Sequence, residues 1–566
     1  MLVDTLASLL LVLGVALGLS RPLVERLRLS PAEGIVAGAA LSLVLAWILA
    51  FLVFISGLPL VGYALLPLLA LAGFGAGLRG LRRVAADPAA RDLMVGQLLV
   101  TLWCVAWLSF VRIHSGGAWL GDWLEHWQRA SYFLRDWPKD KLFFDIYEVP
   151  ARPPLSNVLV AAFLRLTRAD YAHYQVFMAA LASLAYLPVG LLASRFGGGR
   201  AARVAAVLLM LCPLFVQNAT YPWTKLHAAF FILTGLYFFL RVRDQDAPAL
   251  TPGILCAVSL GGAVVTHYSS GPYVVVLAAA WIGFGFRRGY GRGFAEATVL
   301  AATAGALVIA PWFAWSAAQF GWHATLLSNS TASMMGKSPD NPLVVMALNL
   351  RDSLIPPQIR GFTGTLFRQT SPWGSLRDQA FLIYQLNPVL ALGSVGWMAT
   401  LLGLYRAARG ADRRERRFWI LSLAAVVTLC LAAYGDRDHY GIGHICLQSL
   451  VLLGLAFLAS LWPALSQAWR RMLVLGLAVD FALGIALQFA AEDFALDRWL
   501  YPARGLSEVS QSYGVVAQEN LSEKIIAHFA YFADIVGTPP ALVLALLGAV
   551  LCTALLRAKP APGEPR

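Results

Sequence analysis

The chain has 566 residues, 59% of them hydrophobic and 13% charged, with a mean hydropathy of +0.66. Soluble domains carry roughly 25% charged residues, so this composition excludes a soluble globular protein and indicates an all-α polytopic membrane protein. The net charge of +13 does not point to nucleic acid, because the arginines gather in short loops between apolar runs, which is a topology signal.

Judged against about 20 residues per bilayer crossing, the first spans are predicted near 2–19, 35–55, 58–78 and 93–112. The first run has no basic segment before it and ends at Arg21-Pro22, so it reads as a retained span, not a cleaved signal. Loops 21–31 and 79–92 are basic and are assigned to the cytoplasm. The polar segment 114–152 then emerges on the opposite face.

Arg152-Pro153-Pro154-Leu155 opens a short apolar helix over 154–167, read as interfacial at the outer surface. Spans follow near 172–194, 201–217, 226–242, 253–267, 271–287 and 294–317, with 195–203 and 287–292 as basic inner loops. A long outer segment over about 320–382 precedes spans near 386–405, 418–434, 441–462, 471–490 and 539–556. This gives about fifteen spans, with every strongly basic loop on one side. The expected organisation is 1–92 as accessory helices, 93–320 as a catalytic core with its first outer loop at 114–170, 321–385 as a long outer loop, and 386–566 as further helices with an outer segment at 491–537.

Six cysteines lie almost entirely within apolar runs and show no CxxC spacing, so they read as packing residues. Asn218-Ala219-Thr220, Asn329-Ser330-Thr331 and Asn520-Leu521-Ser522 match glycosylation sequons at a frequency chance supplies. No P-loop, dinucleotide fingerprint or HExxH is present.

The chemistry-bearing stretch is Gly121-Asp122-Trp123-Leu124-Glu125-His126-Trp127. At about 100° per residue, Trp119, Trp123, Trp127, Ala130 and Leu134 share one helix face, and Asp122, Glu125, His126 and Arg129 share another. The tryptophan stripe suits the headgroup level. The polar face reads either as a solvated edge, or as a general base at Asp122. Asp122, Glu125 and His126 together also read as part of a site for a divalent cation, magnesium or manganese. Arg152, Lys225, His267, Arg437, His439 and His444 fall on the same predicted side of the membrane. Cations facing a carboxylate cluster suit an anionic leaving group such as a lipid-linked phosphate.

An outer loop with an early acidic motif, an Arg-Pro-Pro-Leu helix and a basic cytoplasmic loop resemble the GT-C glycosyltransferases. The likeness is to the branch with aminoarabinose transferases and protein O-mannosyltransferases, and it covers about residues 93–290. It implies a GT-C-type helix bundle with extracytoplasmic juxtamembrane helices. It also implies a plasma-membrane enzyme facing the periplasm or exterior, and inverting transfer from a polyprenyl-phosphate-linked sugar to a glycan, lipid or protein acceptor. Asp122 would then be the base and Arg152 a ligand of the donor phosphate. Many relatives carry an acidic residue where this chain has Thr224-Lys225, which makes Lys225 a substitute phosphate ligand. His267, Arg437 and His444 stand as further helpers, with Glu125 and His126 as substrate or metal ligands. A flippase for a lipid-linked saccharide, which needs functional charges at both faces and the midplane, is the rival from another class. A glycan polymerase or ligase is the nearer alternative.

Overall fold

Runs of Leu, Ala, Val and Phe long enough to satisfy their own backbone groups in lipid fold as helices, because the bilayer core offers no water to an unpaired N–H or C=O. The computed structural model describes residues 2–58, 61–108, 122–143, 147–244, 250–288, 291–328, 341–356, 359, 383–388, 390–393, 413–433, 442, 447–486 and 540–557. Among them the one β feature is the isolated bridge between Phe143 and Tyr147.

The helices are α1 (Leu2–Gly18), α2 (Arg21–Val24), α3 (Pro31–Ile55), α4 (Val61–Ala76), α5 (Leu78–Ala86), α6 (Pro88–Leu108), α7 (Asp122–Arg135), α8 (Leu155–Leu166), α9 (Tyr171–Ser183) and α10 (Tyr186–Gly197). They continue as α11 (Ala201–Leu211), α12 (Pro213–Thr220), α13 (Lys225–Arg243), α14 (Leu250–Thr266), α15 (Gly271–Arg288) and α16 (Gly291–Leu327). The last are α17 (Pro342–Leu354), α18 (Arg413–Ala433), α19 (Leu447–Leu461), α20 (Gln467–Ile485) and α21 (Pro540–Arg557). Eight described helices are long and apolar enough to cross a bilayer, ten if each of two pairs bent by 68° makes one span. The bends fall between α4 and α5 and between α11 and α12, the latter where Pro213 cannot continue the ladder. The sequence expectation of about fifteen also counts shorter helices such as α14, and a run at 386–405 that lies largely outside the described residues.

Two expectations near the site are corrected. The helix expected at 154–167 is α8, but it does not lie on the lipid surface. Every residue from Leu155 to Leu164 is buried, with α3, α7, α9 and α14 packed around it. A helix with apolar side chains around most of its circumference gains by such enclosure, and its Ser156 finds a partner in His227. The described tryptophan of α7's other face is likewise turned into protein: Trp127 is 2% exposed and meets Tyr171 and Tyr174 edge-on at 5.5 and 5.1 Å, while the Trp123 side chain lies outside the described residues. Trp119 lies outside the described residues.

Charge divides into two layers at opposite ends of α13. At its carboxyl end, Arg241 pairs with Glu33 at 2.7 Å, Arg243 with Glu415 at 2.7 Å, and Arg195 with Asp244. Arg203 pairs with Asp92 at 2.6 Å in the same predicted cytoplasmic layer. Glu33 also closes a capping box with Ser30 at the start of α3 and accepts from Tyr237 Oη at 2.9 Å. At the amino end stands Lys225, and the 1.5 Å rise per residue puts the two ends of α13 about 27 Å apart.

Within the bundle, small residues let helices approach closely, as is usual in membranes. A Cβ on Gly96 of α6 would meet Tyr186 Oη of α10 at 2.1 Å, and that hydroxyl donates to Ala202 O at 3.1 Å. Gly96→Val is therefore expected to cost about 1–3 kcal/mol or more by overpacking. Thermal unfolding in detergent measures this, and an unchanged melting temperature would mean that the two helices do not touch there.

Candidate active site

The site forms where the amino end of α7, the segment 147–152, the amino end of α13 and the turn after α14 meet. Its centre is one carboxylate. Glu125, 1% exposed, accepts from Arg129 Nε at 2.7 Å through its Oε1, while Arg152 Nη2 lies 2.8 Å from its Oε2. The first contact follows from helical spacing, since residues four apart share a face. The second joins α7 to a residue 27 positions later (125 to 152), just before Pro153-Pro154.

Arg129 uses its remaining donors on backbone. Nη1 donates to Val149 O at 2.9 Å and Nη2 to Glu148 O at 3.2 Å, and the guanidinium covers the Phe143 ring at 4.5 Å. Tyr268, from the 3₁₀ turn Tyr268–Ser270 after α14, donates to Pro150 O at 3.2 Å. Three successive carbonyls, at 148, 149 and 150, are thus held from two directions, and Arg152 is fixed at the end of the anchored segment. Its guanidinium also lies 5.8 Å from the centre of the Tyr147 ring.

Lys225, 4% exposed, opens α13 with its ammonium 4.2 Å over the Trp223 ring. A salt-like array at such depth costs desolvation unless each charge finds compensation. His126 lies within this field. Burial, together with the neighbouring charges of Arg152, Arg129 and Lys225, pushes its pKa well below the usual imidazole value, and the Asn157 amide acts in the opposite direction. His267, half-buried in the outer turn, is pushed down the same way by desolvation, Arg152, Lys225 and His126. Its Nδ1 accepts from Ser269 N at 3.1 Å, which leaves Nε2 for another partner. Both imidazoles are therefore neutral at neutral pH. One step below, Ser156 Oγ of α8 and His227 Nδ1 of α13 lie 2.8 Å apart and tie the two helices together.

Five residues singled out in the sequence, Glu125, His126, Arg152, Lys225 and His267, come together here from four separate stretches of chain. Asp122 begins α7, one turn before Glu125 and His126, and its side chain lies outside the described residues, as do Arg437, His439 and His444. Arg129 was not singled out: its place on the polar face was legible, but its grip on the carbonyls of 148 and 149 depends on tertiary structure. The proposed cation site fits poorly with the residues that are described. Both Glu125 oxygens already face guanidinium groups, so a dication there would meet two positive charges on its own ligand.

No protein-family model and no curated protein matches the chain. Among solved structures it is similar to the aminoarabinose transferase ArnT from Cupriavidus metallidurans bound to undecaprenyl phosphate. The identity is 15% and the TM-score 0.47, over 81% of this chain and 76% of that one. The apo form of ArnT gives 15% and 0.45, over 80% and 76%. An oligosaccharyltransferase from Archaeoglobus fulgidus in its apo form gives 14% and 0.40, over 84% of this chain and 57% of that one. These proteins are GT-C membrane glycosyltransferases. The likeness is one of helix arrangement, and the functional reading of this chain rests on its own residues.

Two expectations follow from the geometry. Glu125→Gln removes the charge that compensates two buried guanidinium groups, which should cost about 3–5 kcal/mol. Unfolding in detergent should show this loss, and added magnesium or manganese should not restore it; recovery with the metal would return Glu125 to the role of ligand. The depressed His126 pKa sets a pH dependence. Below the ordinary imidazole value the unfolded chain binds a proton that the folded chain refuses, so stability is full above about pH 6.5 and falls as pH drops, by about 1.4 kcal/mol per unit. Comparing melting temperatures of wild type and His126→Asn between pH 7 and 5 isolates this slope, which should be shallower in the variant.

Proposed function

We propose that this protein is a membrane glycosyltransferase of the GT-C type. In this reading it takes a sugar from a polyprenyl-phosphate carrier and passes it to a hydroxyl of an extracytoplasmic glycan, lipid or protein. The observation that carries the reading is the buried pairing of Arg129 and Arg152 with Glu125, with Lys225 and Arg152 both acting on the neighbouring His126, at the end of α13 opposite the predicted cytoplasmic layer. Two guanidinium groups and an ammonium gathered in one buried place suit the recognition of a phosphate. The positive-inside pattern of the arginine-rich loops supports assigning this end to the outer face of the plasma membrane.

The reaction is a single displacement with inversion. The acceptor oxygen attacks the anomeric carbon as the bond from that carbon to the phosphate oxygen breaks, and the bonding pair leaves with the polyprenyl phosphate. Asp122, on the face of α7 that also carries Glu125 and His126, takes the acceptor's proton. Arg152 and Lys225 stabilise the charge that gathers on the departing phosphate. Glu125 does not react: it positions Arg152 and Arg129.

The flippase reading needs functional charge leading through the midplane. At the far end of the bundle, by contrast, the described cations Arg195, Arg203, Arg241 and Arg243 are tied to carboxylates.

The experiment gives purified protein a labelled polyprenyl-phosphate sugar and a membrane glycan extract. Asp122→Asn should abolish transfer, and Arg152→Ala and Lys225→Ala should each lower it about 100-fold or more. Movement of the intact donor across the bilayer without transfer would instead support the flippase.

A further inference from the structure

Beside the cations lies a second group of polar atoms that this reaction scheme does not use. His126 is 1% exposed, and neither ring nitrogen has a partner at full hydrogen-bonding geometry, the Asn157 amide standing beside it as its one weak hydrogen-bonding neighbour among the described residues. Asn157 Oδ1, Thr224 Oγ1, Ser270 Oγ and His267 Nε2 are also buried and without such a partner. They belong to different parts of the fold: α7, α8, the cap of α13 and the turn after α14.

These atoms nonetheless share one neighbourhood. The Asn157 amide and the Lys225 charge both act on His126, and His267 feels Lys225, Arg152 and His126. Thr224 immediately precedes Lys225, and Ser270 N donates to His267 O at 3.1 Å. Folded proteins pair nearly all their buried polar atoms, and the exceptions call for a reason. Six such atoms on five residues in one neighbourhood indicate an occupant that supplies the missing hydrogen bonds.

The chemistry of the set defines that occupant. A neutral imidazole offers one donor and one acceptor, the amide oxygen accepts, and each hydroxyl does both. None of these groups is charged. A sugar hydroxyl, which donates and accepts, matches them. An ammonium matches them less well: it would enter beside Arg129, Arg152 and Lys225, the Glu125 oxygens are already engaged with the two arginines, and in the proposed scheme Asp122 is committed to the acceptor's proton.

We infer that His126, Asn157, Thr224, His267 and Ser270 form the subsite for the donor's sugar, and that it selects an uncharged, hydroxyl-rich sugar over an amino sugar. The inference rests on the transferase reading, since it deepens the substrate class of the same site.

The test is equilibrium binding to the full-length protein in lipid nanodiscs with three probes: polyprenyl phosphate without sugar, the same carrier with a neutral hexose, and the same carrier with a 4-amino pentose. The neutral glycosyl carrier should bind about tenfold or more tightly than the sugar-free one, and the amino form no more tightly than the sugar-free one. His126→Phe should reduce the neutral form to the sugar-free level while leaving sugar-free binding within about twofold.

Equal binding of neutral and sugar-free carriers would mean that water fills the subsite, and it overturns the inference. So would an amino form that binds as well as the neutral one, or a His126→Phe variant that weakens the sugar-free carrier as much as the neutral glycosyl carrier. These wild-type comparisons decide the matter even if the variant does not fold. Failure of all three probes to bind is a different result, because it removes the transferase reading itself.

Discussion

One carboxylate governs the end of the bundle where α13 begins. Glu125 is shared between Arg129 on its own helix and Arg152 at the end of an irregular segment, and both contacts are closed from water. Taking these ions out of water is costly, so the arrangement persists only where every remaining donor is satisfied. Arg129 meets that condition by holding the carbonyls of Glu148 and Val149, while Tyr268 holds that of Pro150. The irregular backbone before α8 is thus tied by side chains at three successive carbonyls. The two prolines after Arg152 remove backbone donors that would otherwise need partners, which is why such a sequence can lead into a buried helix.

That fixed corner is connected to the far side of the bundle through α13. The helix carries Lys225 at one end and Arg241 and Arg243 at the other, with phenylalanines and leucines fully buried between. Ser156 and His227 bind its first turn to α8, and Glu33 binds its last turns to α3. A helix pinned at both ends holds Lys225 in a set position. This is the condition for an electrostatic site to act without reorganising as charge develops.

Much of this was legible in the sequence, and the limits have physical causes. The basic loops gave an expected sidedness, because topology tends to follow arginine and lysine in short loops. Sidedness in turn grouped Glu125, His126, Arg152, Lys225 and His267 before any contact was visible. Burial was not legible. A tryptophan face at helical spacing looks the same whether it meets lipid headgroups or tyrosines, and Trp127 meets Tyr171 and Tyr174. The short helix after Pro154 looked interfacial from its length, yet its neighbours enclose it. Asn218, part of a nominal sequon, is also buried, and its amide joins a network with Gln385 and Gln448. Pairing across 230 residues leaves no local trace in the chain.

The same limit explains the ambiguity over metal. An aspartate, a glutamate and a histidine within five residues suggest a cation site whenever the surrounding charge is unknown. The fold brings cations to these residues from 27 to 100 positions further on (Arg152 and Lys225 against Glu125), and they reverse the sign of the local field. In that field a carboxylate orders guanidinium groups, and an imidazole stays neutral even when fully buried. The polar face of α7 thus carries two kinds of group. Glu125 orders the guanidinium groups of Arg129 and Arg152, and His126 one residue later stays neutral beside them. On the proposed reading the ligand joins an anionic group to an uncharged polar one, as a glycosyl phosphate does.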